Sequence, residues 1–576
     1  MAASDLFESK EKMLIQGRLN SNEPGMTFSM ELDEMKAATL EFYDDMSGKR
    51  LNPDSVRSAR REEMVEVHKH RVYTKVPIRQ CLEETGRPPV GVRWVDVNKG
   101  DDQNPDYRSR LVAQELKRTG LIEDLFAATP PLEAKKILFS MAVTEGIGFI
   151  GNDKVNGMKM DFIDVRRAYF HANARRRVFV KLPQEDACEG MCGLLEKSMY
   201  GTRDAAQNWE VAYAEFMWKV GFRRGEGMPC VFHHPLRNLR VVVHGDDFTI
   251  LGHEGNLDWF RSEISKRFEV KFRGRIGPGQ KDGKSIRLLN RVFEWTREGI
   301  TCEADQRHAE LLVQDLGLKK GSKGVVTPGT KSTEFNDEPL NQEDATRYRS
   351  GTARANYLAQ DRSDIQYAVK ELSRGMSAPT REHEEMLKRL ARYLVDKIRV
   401  KIDFKYQCAV KNVTVYTDTD FAGCVRTRKS TSGGVVVFGS HMVKSWSTTQ
   451  NVVALSSGEA EYYGLVKGGA QAIGFKNMMK EMGVKIDIIL KTDASAAKGI
   501  ATRRGMGKVR HIEVTQLWLQ DKVARGEIKV EKIDGAKNIA DQLTKYVTKE
   551  GILYHMERTH QRVTEGRHEL MPEVAK

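Results

Sequence analysis

The stretch VTVYTDTDFAG, residues 413–423, decides how the C-terminal part of the chain is interpreted. Its first part, VTVYTD, predicts a β-strand that ends in Asp418. Further strand-like and helical runs follow at 433–439, 443–448, 458–482 and 486–493. Strands that alternate with helices in this way predict an α/β sheet covered by helices.

Four acidic residues of this region lie at strand ends, within a helix or at a helix start: Asp418, Glu461, Asp493 and Asp541. Strand ends and helix starts can converge at one edge of a sheet, and hard cations such as Mg²⁺ prefer several carboxylate oxygens in a small space. Two such ions about 4 Å apart activate water and stabilise the leaving oxygen in phosphodiester cleavage. By spacing alone, turn and capping chemistry explains the same residues.

A second acidic pattern lies upstream. The run MKMDFID, residues 158–164, predicts a buried strand that ends in Asp164, and LRVVVHGDDFTILG, residues 239–252, predicts two strands joined at a tight turn. Asp246 and Asp247 lie at that turn. Two carboxylates at a hairpin tip, beside a strand that ends in Asp, suit two Mg²⁺ ions for nucleotidyl transfer. Gly and Asp also favour hairpin turns without any catalytic role.

The local sequence around the C-terminal acidic set is more specific than its spacing. The chain contains, in order, the blocks YTDTDFAG, RKSTSGGVVVFG, VKSWSTTQNVVALSSGEAEYYGL, KTDASAAKGI, KVRHIEV and NIADQLTK. These blocks resemble the ribonuclease H domain of copia-type LTR retrotransposon Pol polyproteins. The resemblance implies a ribonuclease H fold that cleaves the RNA strand of an RNA–DNA hybrid.

The same resemblance implies roles for individual residues. Asp418, Glu461, Asp493 and Asp541 match the four catalytic, metal-binding carboxylates. Glu459 and Asp420 are nearby rivals, and helical spacing places Glu459 on a different face from Glu461, which favours Glu461. His511 matches a histidine that assists proton transfer or product release, with a surface role in a phosphate-binding loop as an equal alternative. Basic residues of that loop are expected to bind the hybrid backbone: Arg503, Arg504, Lys508 and Arg510.

A longer series of blocks lies upstream. It comprises YRSRLVAQEL, DVRRAYFHA, KSMYGTRDAAQNW, VVVHGDDFTILG and YRSGTARANYLAQDRSDIQYAVKELSRGMSAPTREHEEMLKRLARYL. These blocks resemble the reverse transcriptase of the same family, across about residues 65–405. The resemblance implies that Tyr169 stacks under the incoming sugar and that Arg110 contacts the triphosphate, whereas a core tyrosine and a surface charge are the alternatives. It implies a right-hand polymerase with the catalytic triad Asp164, Asp246 and Asp247.

The upstream blocks also depart from the family pattern. His244 and Gly245 replace the usual Tyr and apolar residue before the paired Asp, and residues 202–206 read TRDAA in place of Leu-Lys-Gln-Ala-Pro. The segment HANARRRVF, residues 171–179, is basic where the family tends to be acidic. Asp161 is a rival to Asp164, although the block DVRRAYF favours Asp164.

The length of 576 residues predicts several domains. The predicted fold class is a multidomain mixture of α/β and α+β, with a right-hand polymerase followed by a ribonuclease H-like α/β domain. The predicted parts are a poorly defined leader (1–64), fingers and palm (65–320), a linker (321–344), a helical thumb or connection region (345–408), the ribonuclease H-like domain (411–550) and a C-terminal tail (551–576).

Composition narrows the choice of partners and compartment. The chain has 93 Lys and Arg against 80 Asp and Glu, a formal net charge of +13 that favours a polyanionic partner modestly. No apolar run reaches the length of a membrane span, and the N-terminus lacks the pattern of a secretory signal. The scattered cysteines predict a reducing compartment, so we expect an intracellular protein of the cytoplasm or nucleus.

These patterns together predict an RNA-directed DNA polymerase with ribonuclease H activity. The expected cofactor is Mg²⁺, two ions per site, with Mn²⁺ as an alternative ion. The expected partners are an RNA template, a DNA primer, dNTPs and the RNA–DNA hybrid, with no membrane. The alternative is a decayed or repurposed fragment of such an element that binds nucleic acid, with at most the nuclease active. All seven matched carboxylates are present, which favours retained catalysis.

Overall fold

A computed structural model describes residues 41–100, 104–116, 125, 127–319, 321–331, 336–507 and 509–574. Residues 1–40 of the predicted leader therefore lie outside the described residues. The chain divides into two compact units. The first comprises Met1–Thr119 and Ala174–Ala205, and the second comprises Gly120–Asn173 and Ala206–Lys576.

The described helices are α1 (Pro53–Lys69), α2 (Ile78–Thr85), α3 (Leu132–Ala142), α4 (Ala205–Lys219), α5 (Glu254–Arg267), α6 (Arg307–Asp315), α7 (Gln342–Ala359), α8 (Gln366–Ser373), α9 (Arg381–Val395), α10 (Ser457–Glu481), α11 (Ser495–Thr502), α12 (Trp518–Ala524) and α13 (Lys549–Arg558). None of them is long and apolar enough to cross a membrane.

The described strands are β1 (Phe42–Tyr43), β2 (Arg50–Leu51), β3 (Tyr73–Pro77), β4 (Val92–Asn98), β5 (Tyr107–Ala113), β6 (Lys159–Val165), β7 (Phe179–Val180), β8 (Met191–Leu195), β9 (Arg223–Arg224), β10 (Val231–His234), β11 (Leu239–His244), β12 (Asp247–Gly252), β13 (Val270–Ile276), β14 (Ser285–Leu288), β15 (Arg291–Trp295), β16 (Gly299–Glu303), β17 (Val400–Lys405), β18 (Asn412–Asp420), β19 (Thr431–Phe438), β20 (His441–Thr449), β21 (Asp487–Thr492), β22 (Ile528–Lys532) and β23 (Gln561–Val563). The mixed α/β and α+β composition expected from the sequence is confirmed.

The first unit contains three small sheets, with strand orders β1-β2, β4-β5 and β3-β8-β7. Helix α1 begins with Pro53 directly after Asn52, whose side chain accepts a hydrogen bond from the Ser55 N–H, an arrangement that caps the helix. The predicted boundary at residue 64 lies inside this helix, so the leader prediction was wrong for residues 53–64. The charged residues of α1 obscured it, although its buried residues Val56, Ala59, Glu63, Met64 and Val67 follow helical spacing.

The second unit contains a six-stranded antiparallel sheet of order β13-β6-β12-β11-β10-β9, which we call the palm sheet. Strand β6 lies between β12 and β13, and most of its residues are buried because helices and loops cover both faces. Aromatic residues of α4 and α5, including Trp209 and Phe260, pack against one face. Helix α3 packs into the larger apolar cluster that includes Phe162. Strand β6 is thereby a rigid support for Asp164 at its end.

A second antiparallel sheet, of order β14-β15-β16-β17-β23, lies beside a helical cluster built from α6, α7, α8, α9 and α13. Two predicted boundaries are corrected here. The helical region 345–408 ends in strand β17, and the predicted tail 551–576 contains β23 and most of α13. Ile552 and Met556, one helical turn apart, are buried in the helical cluster, which explains why this segment is folded.

The third large sheet of this unit, which we call the C-terminal sheet, has the order β20-β19-β18-β21-β22. Its β18–β19 and β19–β20 pairs are antiparallel, whereas β18–β21 and β21–β22 are parallel. Helix α10 lies very close to β18 because it places glycine at the contact. A Cβ atom on Gly464 would lie 2.5 Å from Thr419 Oγ1, and one on Gly468 would lie 2.5 Å from Thr417 Cγ2. This close packing fixes the position of Glu461, one turn before Gly464.

Candidate active sites

Three of the predicted C-terminal carboxylates converge. Ligand oxygens of Asp418, Glu461 and Asp493 all lie within 4.8 Å of one another. Strands β18 and β21 are parallel, and Tyr416 pairs with Lys491, so the positions two residues further on lie side by side, one still within β18 and the other just beyond the end of β21. Those positions are Asp418 and Asp493. Helix α10 supplies Glu461.

Burial and mutual repulsion govern the charge state of this cluster. Asp418 and Glu461 are 5% and 8% exposed. Burial, opposed by the Thr544 hydroxyl and reinforced by the carboxylates of Asp541 and Asp493, raises the pKa of Asp418 to about 6. Burial, followed by repulsion from Asp418 and Asp493, raises the pKa of Glu461 to about 9. Ionised carboxylates are therefore costly here unless a cation joins them.

Hydrogen bonds orient the cluster but leave acceptor capacity. The Thr544 hydroxyl donates to Asp418 Oδ2, and the Thr419 N–H donates to Glu461 Oε1 at 3.2 Å. Glu461 Oε2 is buried and has no hydrogen-bond partner among the described residues. An unpartnered buried carboxylate oxygen beside two other carboxylates fits a hard divalent cation.

The fourth predicted carboxylate lies close to this cluster without joining it. Asp541 is half-buried at the start of the short 3₁₀ helix Asp541–Leu543, and Lys545 forms an ion pair with it. Its charge contributes to the raised pKa of Asp418. Asp541 is not part of the set whose ligand atoms all lie within 4.8 Å.

The rival carboxylates have other partners. Asp420 accepts a hydrogen bond from the Thr431 N–H. Glu459 accepts one from the Leu455 N–H at 3.0 Å and lies 2.7 Å from His511 Nε2. The structure therefore places Glu461 in the cluster, as the sequence favoured, and places His511 beside Glu459.

The predicted basic loop follows α11. Arg503 is half-buried and donates to the Met506 carbonyl at 2.5 Å, whereas Arg504 and Arg510 are exposed. Lys508 lies outside the described residues. The two exposed guanidinium groups are accessible to a phosphate backbone.

In the palm sheet, Asp164 and Asp247 lie directly opposite each other on β6 and β12. The β11–β12 hairpin closes through Gly245 and Asp246, and Gly245 has a φ of +65°, which a side chain would strain. Glycine at this position, a departure from the family pattern, is thus explained by the turn. The Trp209 indole N–H donates to the Gly245 carbonyl at 2.8 Å and fixes the turn from α4.

Cations of the protein itself lie near the palm carboxylates. Arg273 Nη1 donates to Asp247 Oδ1 at 3.0 Å. Lys135, on α3, is 2% exposed, and its Nζ has no hydrogen-bond partner among the described residues. Burial lowers the pKa of Lys135 to about 8, and the charges of Asp247 and Asp246 partly oppose that shift. Sequence reasoning missed Lys135, Trp209 and Arg273, although Trp209 lies within a block quoted for the resemblance.

Asp161, the rival to Asp164, is fully engaged elsewhere. Its carboxylate, 1% exposed, accepts two hydrogen bonds each from Arg261 and Arg275, at 2.6 and 2.9 Å. Because side chains alternate along a strand, Asp161 and Asp164 project to opposite faces of β6. Asp161 is therefore part of a buried ion-pair network.

The other predicted polymerase residues are placed as follows. Tyr169 lies in the 3₁₀ helix Ala168–His171, half-buried against the apolar cluster of α4 and α5. Arg110, on β5 of the first unit, is exposed and its guanidinium lies over the Tyr200 ring, 4.9 Å from the centroid.

Two departures from the family pattern meet in the first unit. Asp204, in the TRDAA segment, accepts a hydrogen bond from Arg176, in the basic segment, at 2.7 Å. Arg176 also bonds Glu115 at 3.0 Å, and Glu115 accepts from the Arg203 N–H at 2.8 Å. The two departures thus compensate each other through one ion-pair network.

Comparisons with known proteins find relatives among reverse transcriptases and transposon polyproteins. A family model described as reverse transcriptase (RNA-dependent DNA polymerase) matches residues 81–278. The retrovirus-related Pol polyprotein from transposon TNT 1-94 of Nicotiana tabacum is 25% identical over 510 residues, covering 85% of this chain and 36% of the relative. That from transposon RE1 of Arabidopsis thaliana is 25% identical over 471 residues, covering 79% and 30%.

An uncharacterised mitochondrial protein of Arabidopsis thaliana is 31% identical over 235 residues, covering 40% of this chain and 92% of the relative. A solved structure of a foamy viral protease-reverse transcriptase in complex with double-stranded DNA aligns with a TM-score of 0.46 and 10% identity, covering 83% of this chain and 70% of that one. The chain spans about a third of the length of the transposon polyproteins it matches. Over most of its length the chain is similar to retrovirus-related Pol polyproteins of transposons, and residues 81–278 match the reverse transcriptase family model.

Proposed function

We propose that this chain is an RNA-directed DNA polymerase that also cleaves the RNA strand of RNA–DNA hybrids. The observation that carries the polymerase half is the pairing of Asp164 with Asp247 across β6 and β12, beside the Gly245–Asp246 turn. This register puts Asp164 beside Asp247 at one end of the sheet, next to Asp246 in the turn, and supports a site for two-metal nucleotidyl transfer. Tyr169 follows the same strand and is proposed to contact the incoming sugar. Arg110 is proposed to contact the triphosphate.

The nuclease half rests on the converging carboxylates of the C-terminal sheet. The order of that sheet, three antiparallel strands continued by two parallel ones, supports a ribonuclease H-like fold. Asp418, Glu461 and Asp493 are proposed to hold Mg²⁺ or Mn²⁺, with Asp541 completing the set. When bound, such ions activate water and stabilise the leaving oxygen.

The chain's own residues would bind and orient the hybrid. Arg504 and Arg510 are proposed to contact its phosphates from the basic loop. His511 is proposed to serve this loop, and its bond to Glu459 holds it at the start of α10. The net charge of +13 supports a nucleic-acid partner.

One observation favours a second candidate, a nuclease whose polymerase is weak or inactive. Arg273 occupies an oxygen of Asp247, and Lys135 adds a buried positive charge to the same region. Both groups reduce the need of the palm carboxylates for a divalent ion. The chain would then bind nucleic acid as a remnant of the element with only hybrid cleavage retained.

Two assays on the same preparation test these proposals. Primer extension on an RNA template with dNTPs and Mg²⁺ should occur and should be abolished by Asp246→Asn. Cleavage of a labelled RNA–DNA hybrid should be abolished by Asp493→Asn and not by Asp246→Asn. Cleavage without extension would establish the second candidate, and salt-sensitive binding with neither activity would refute both.

A further inference from the structure

The segment from Asn538 to Thr544, which we call the Asp541 segment, is attached to the C-terminal sheet at both ends. The Asn538 side-chain amide donates to the Thr417 carbonyl at 2.9 Å, one residue before Asp418. The Thr544 hydroxyl donates to Asp418 itself. Asn538 and Thr544 are both buried, so neither bond is shared with solvent. The position of Asp541 relative to Asp418 therefore depends on how this segment is held.

The middle of the segment is held from outside that sheet. The Gln542 amide donates to the Asp364 carbonyl at 2.9 Å. His555 Nδ1 lies 2.7 Å from the Ile539 carbonyl, and His555 Nε2 lies 2.6 Å from Ser363 Oγ. A carbonyl only accepts, so Nδ1 donates to it. Burial lowers the pKa of His555, and in the neutral ring Nε2 then accepts from the Ser363 hydroxyl.

Residues 361–364 form a rigid support for these contacts. The Asp364 carboxylate accepts hydrogen bonds from Arg362 at 2.8 and 2.7 Å and from the Tyr393 hydroxyl at 2.9 Å, all in the buried interior. Gln561 donates to Ser363 Oγ at 2.5 Å. Three buried hydrogen bonds to one carboxylate restrict Asp364 to one arrangement.

We propose that Gln542, Ser363 and His555 are positioning residues of the nuclease site, through which the helical region holds Asp541 and Thr544 against Asp418. The inference rests on the proposed nuclease function and extends the site beyond residues 411–550. It places part of the support for the fourth carboxylate in a region that the sequence assigns to the polymerase. Loss of these contacts should weaken divalent-ion binding more than hybrid binding.

The test uses the full chain carrying Asp246→Asn and Asp247→Asn, so that bound Mn²⁺ reports on the nuclease site. In this background, Gln542→Leu removes the donor with little change in volume. We expect the Mg²⁺ concentration for half-maximal hybrid cleavage, and the Mn²⁺ dissociation constant from electron paramagnetic resonance, to rise about tenfold. The KM for hybrid should stay unchanged. Ser363→Ala, a milder change, should shift the same quantities in the same direction.

Tyr348→Phe is the matched control, because it removes a buried bond to the Leu372 carbonyl in the same helical region. It should lower thermal stability comparably without moving the Mg²⁺ dependence. In an Asp541→Asn background, Gln542→Leu should shift that dependence less than it does in the parent, because the two changes act on the same site. Additive effects, or equal Mg²⁺ dependence in Gln542→Leu and the parent, would overturn the inference alone. A parent that neither binds Mn²⁺ nor cleaves hybrid would overturn the nuclease function and the inference with it.

Discussion

The two carboxylate sets of the second unit both lie at the ends of buried strands, yet their surroundings differ. At the C-terminal sheet, Asp418, Glu461 and Asp493 lie close together. The nearest cation, Lys545, forms its ion pair with Asp541 and lowers the pKa of Asp418 and Glu461 only from a distance. In the palm sheet, Asp247 accepts from Arg273, and the buried amine of Lys135 lies in the same electrostatic environment.

The two clusters show two ways in which a fold can accommodate buried carboxylates. A cluster whose members have no cation in direct contact raises its own pKa values and gains most from a divalent ion, because each ion relieves repulsion that the fold created. A cluster with internal cations is already partly neutralised, so an added ion must compete with them. We therefore expect the nuclease carboxylates to bind Mg²⁺ more tightly than the palm carboxylates.

The largest effect on activity should come from neutralising Asp418 in the cluster of Asp418, Glu461 and Asp493. Asp418→Asn should reduce hybrid cleavage by more than the roughly 10- to 100-fold typical of losing a contact behind a metal ligand. Single-turnover cleavage of a labelled hybrid measures it. Asp420→Asn is the control, since Asp420 is bonded to the Thr431 N–H, and it should retain cleavage. Equal losses in both variants would contradict the assignment.

The same three carboxylates should also make the metal-free chain less stable as pH rises. Folding raises the pKa of Glu461 to about 9, so the folded chain holds this proton more tightly than the unfolded chain does. Its stabilising contribution is complete below the unfolded pKa and is lost as pH rises towards about 9, at up to about 1.4 kcal/mol per pH unit.

Urea denaturation at several pH values, with chelator present, compares the parent with Glu461→Gln. The difference in unfolding free energy should grow in favour of the variant from about pH 5 to 9. Added Mg²⁺ should stabilise the parent and not the variant. A difference independent of pH would show that Glu461 is not held in a repulsive cluster.

Within the palm strand, two aspartates three residues apart should respond differently to the same change. Asp161→Asn removes the buried negative charge that Arg261 and Arg275 pair with and should lower the unfolding free energy by about 3 kcal/mol. Asp164→Asn should cost less stability and abolish primer extension. Thermal denaturation measures the loss of stability in both variants, and extension assays measure the loss of activity. Equal destabilisation would argue that Asp164 is also structural.

The sequence predicted the carboxylates better than their environment. The resemblance of the local blocks to a family pointed to Asp418, Glu461 and Asp493, which the structure brings close together. Their spacing alone was compatible with turns and caps. Lys135 and Arg273 were not found, since a basic residue on a helix or strand normally faces solvent and nothing local marks these two as neighbours of Asp247.

The predicted domain boundaries at residues 408 and 551 were wrong because contacts between distant segments leave no local signal in the sequence. Helix α13 and strand β23 return to the sheet and helical cluster formed by residues 285–405, and that pairing is between segments about 160 residues apart, such as Val400 with Val563. A short polar strand carries no local signal of such a partner. The Asp541 segment shows the consequence, since Gln542 and Asp364 meet across 178 residues.

The smallest predicted effect tests whether Arg273 partly neutralises Asp247 in the palm sheet. Arg273→Leu frees an oxygen of Asp247 and should tighten Mn²⁺ binding at the palm about two- to fivefold, because a partly exposed ion pair contributes only about 0.4–1 kcal/mol. Binding is measured with Asp418→Asn and Glu461→Gln present, so that the nuclease cluster is silent. Arg297→Leu removes an equal charge from an exposed turn and should leave the affinity unchanged. If Arg273→Leu weakened Mn²⁺ binding, the guanidinium would be supporting the geometry of Asp247, and the contrast between the two clusters would lie in their shape and not in their internal charge.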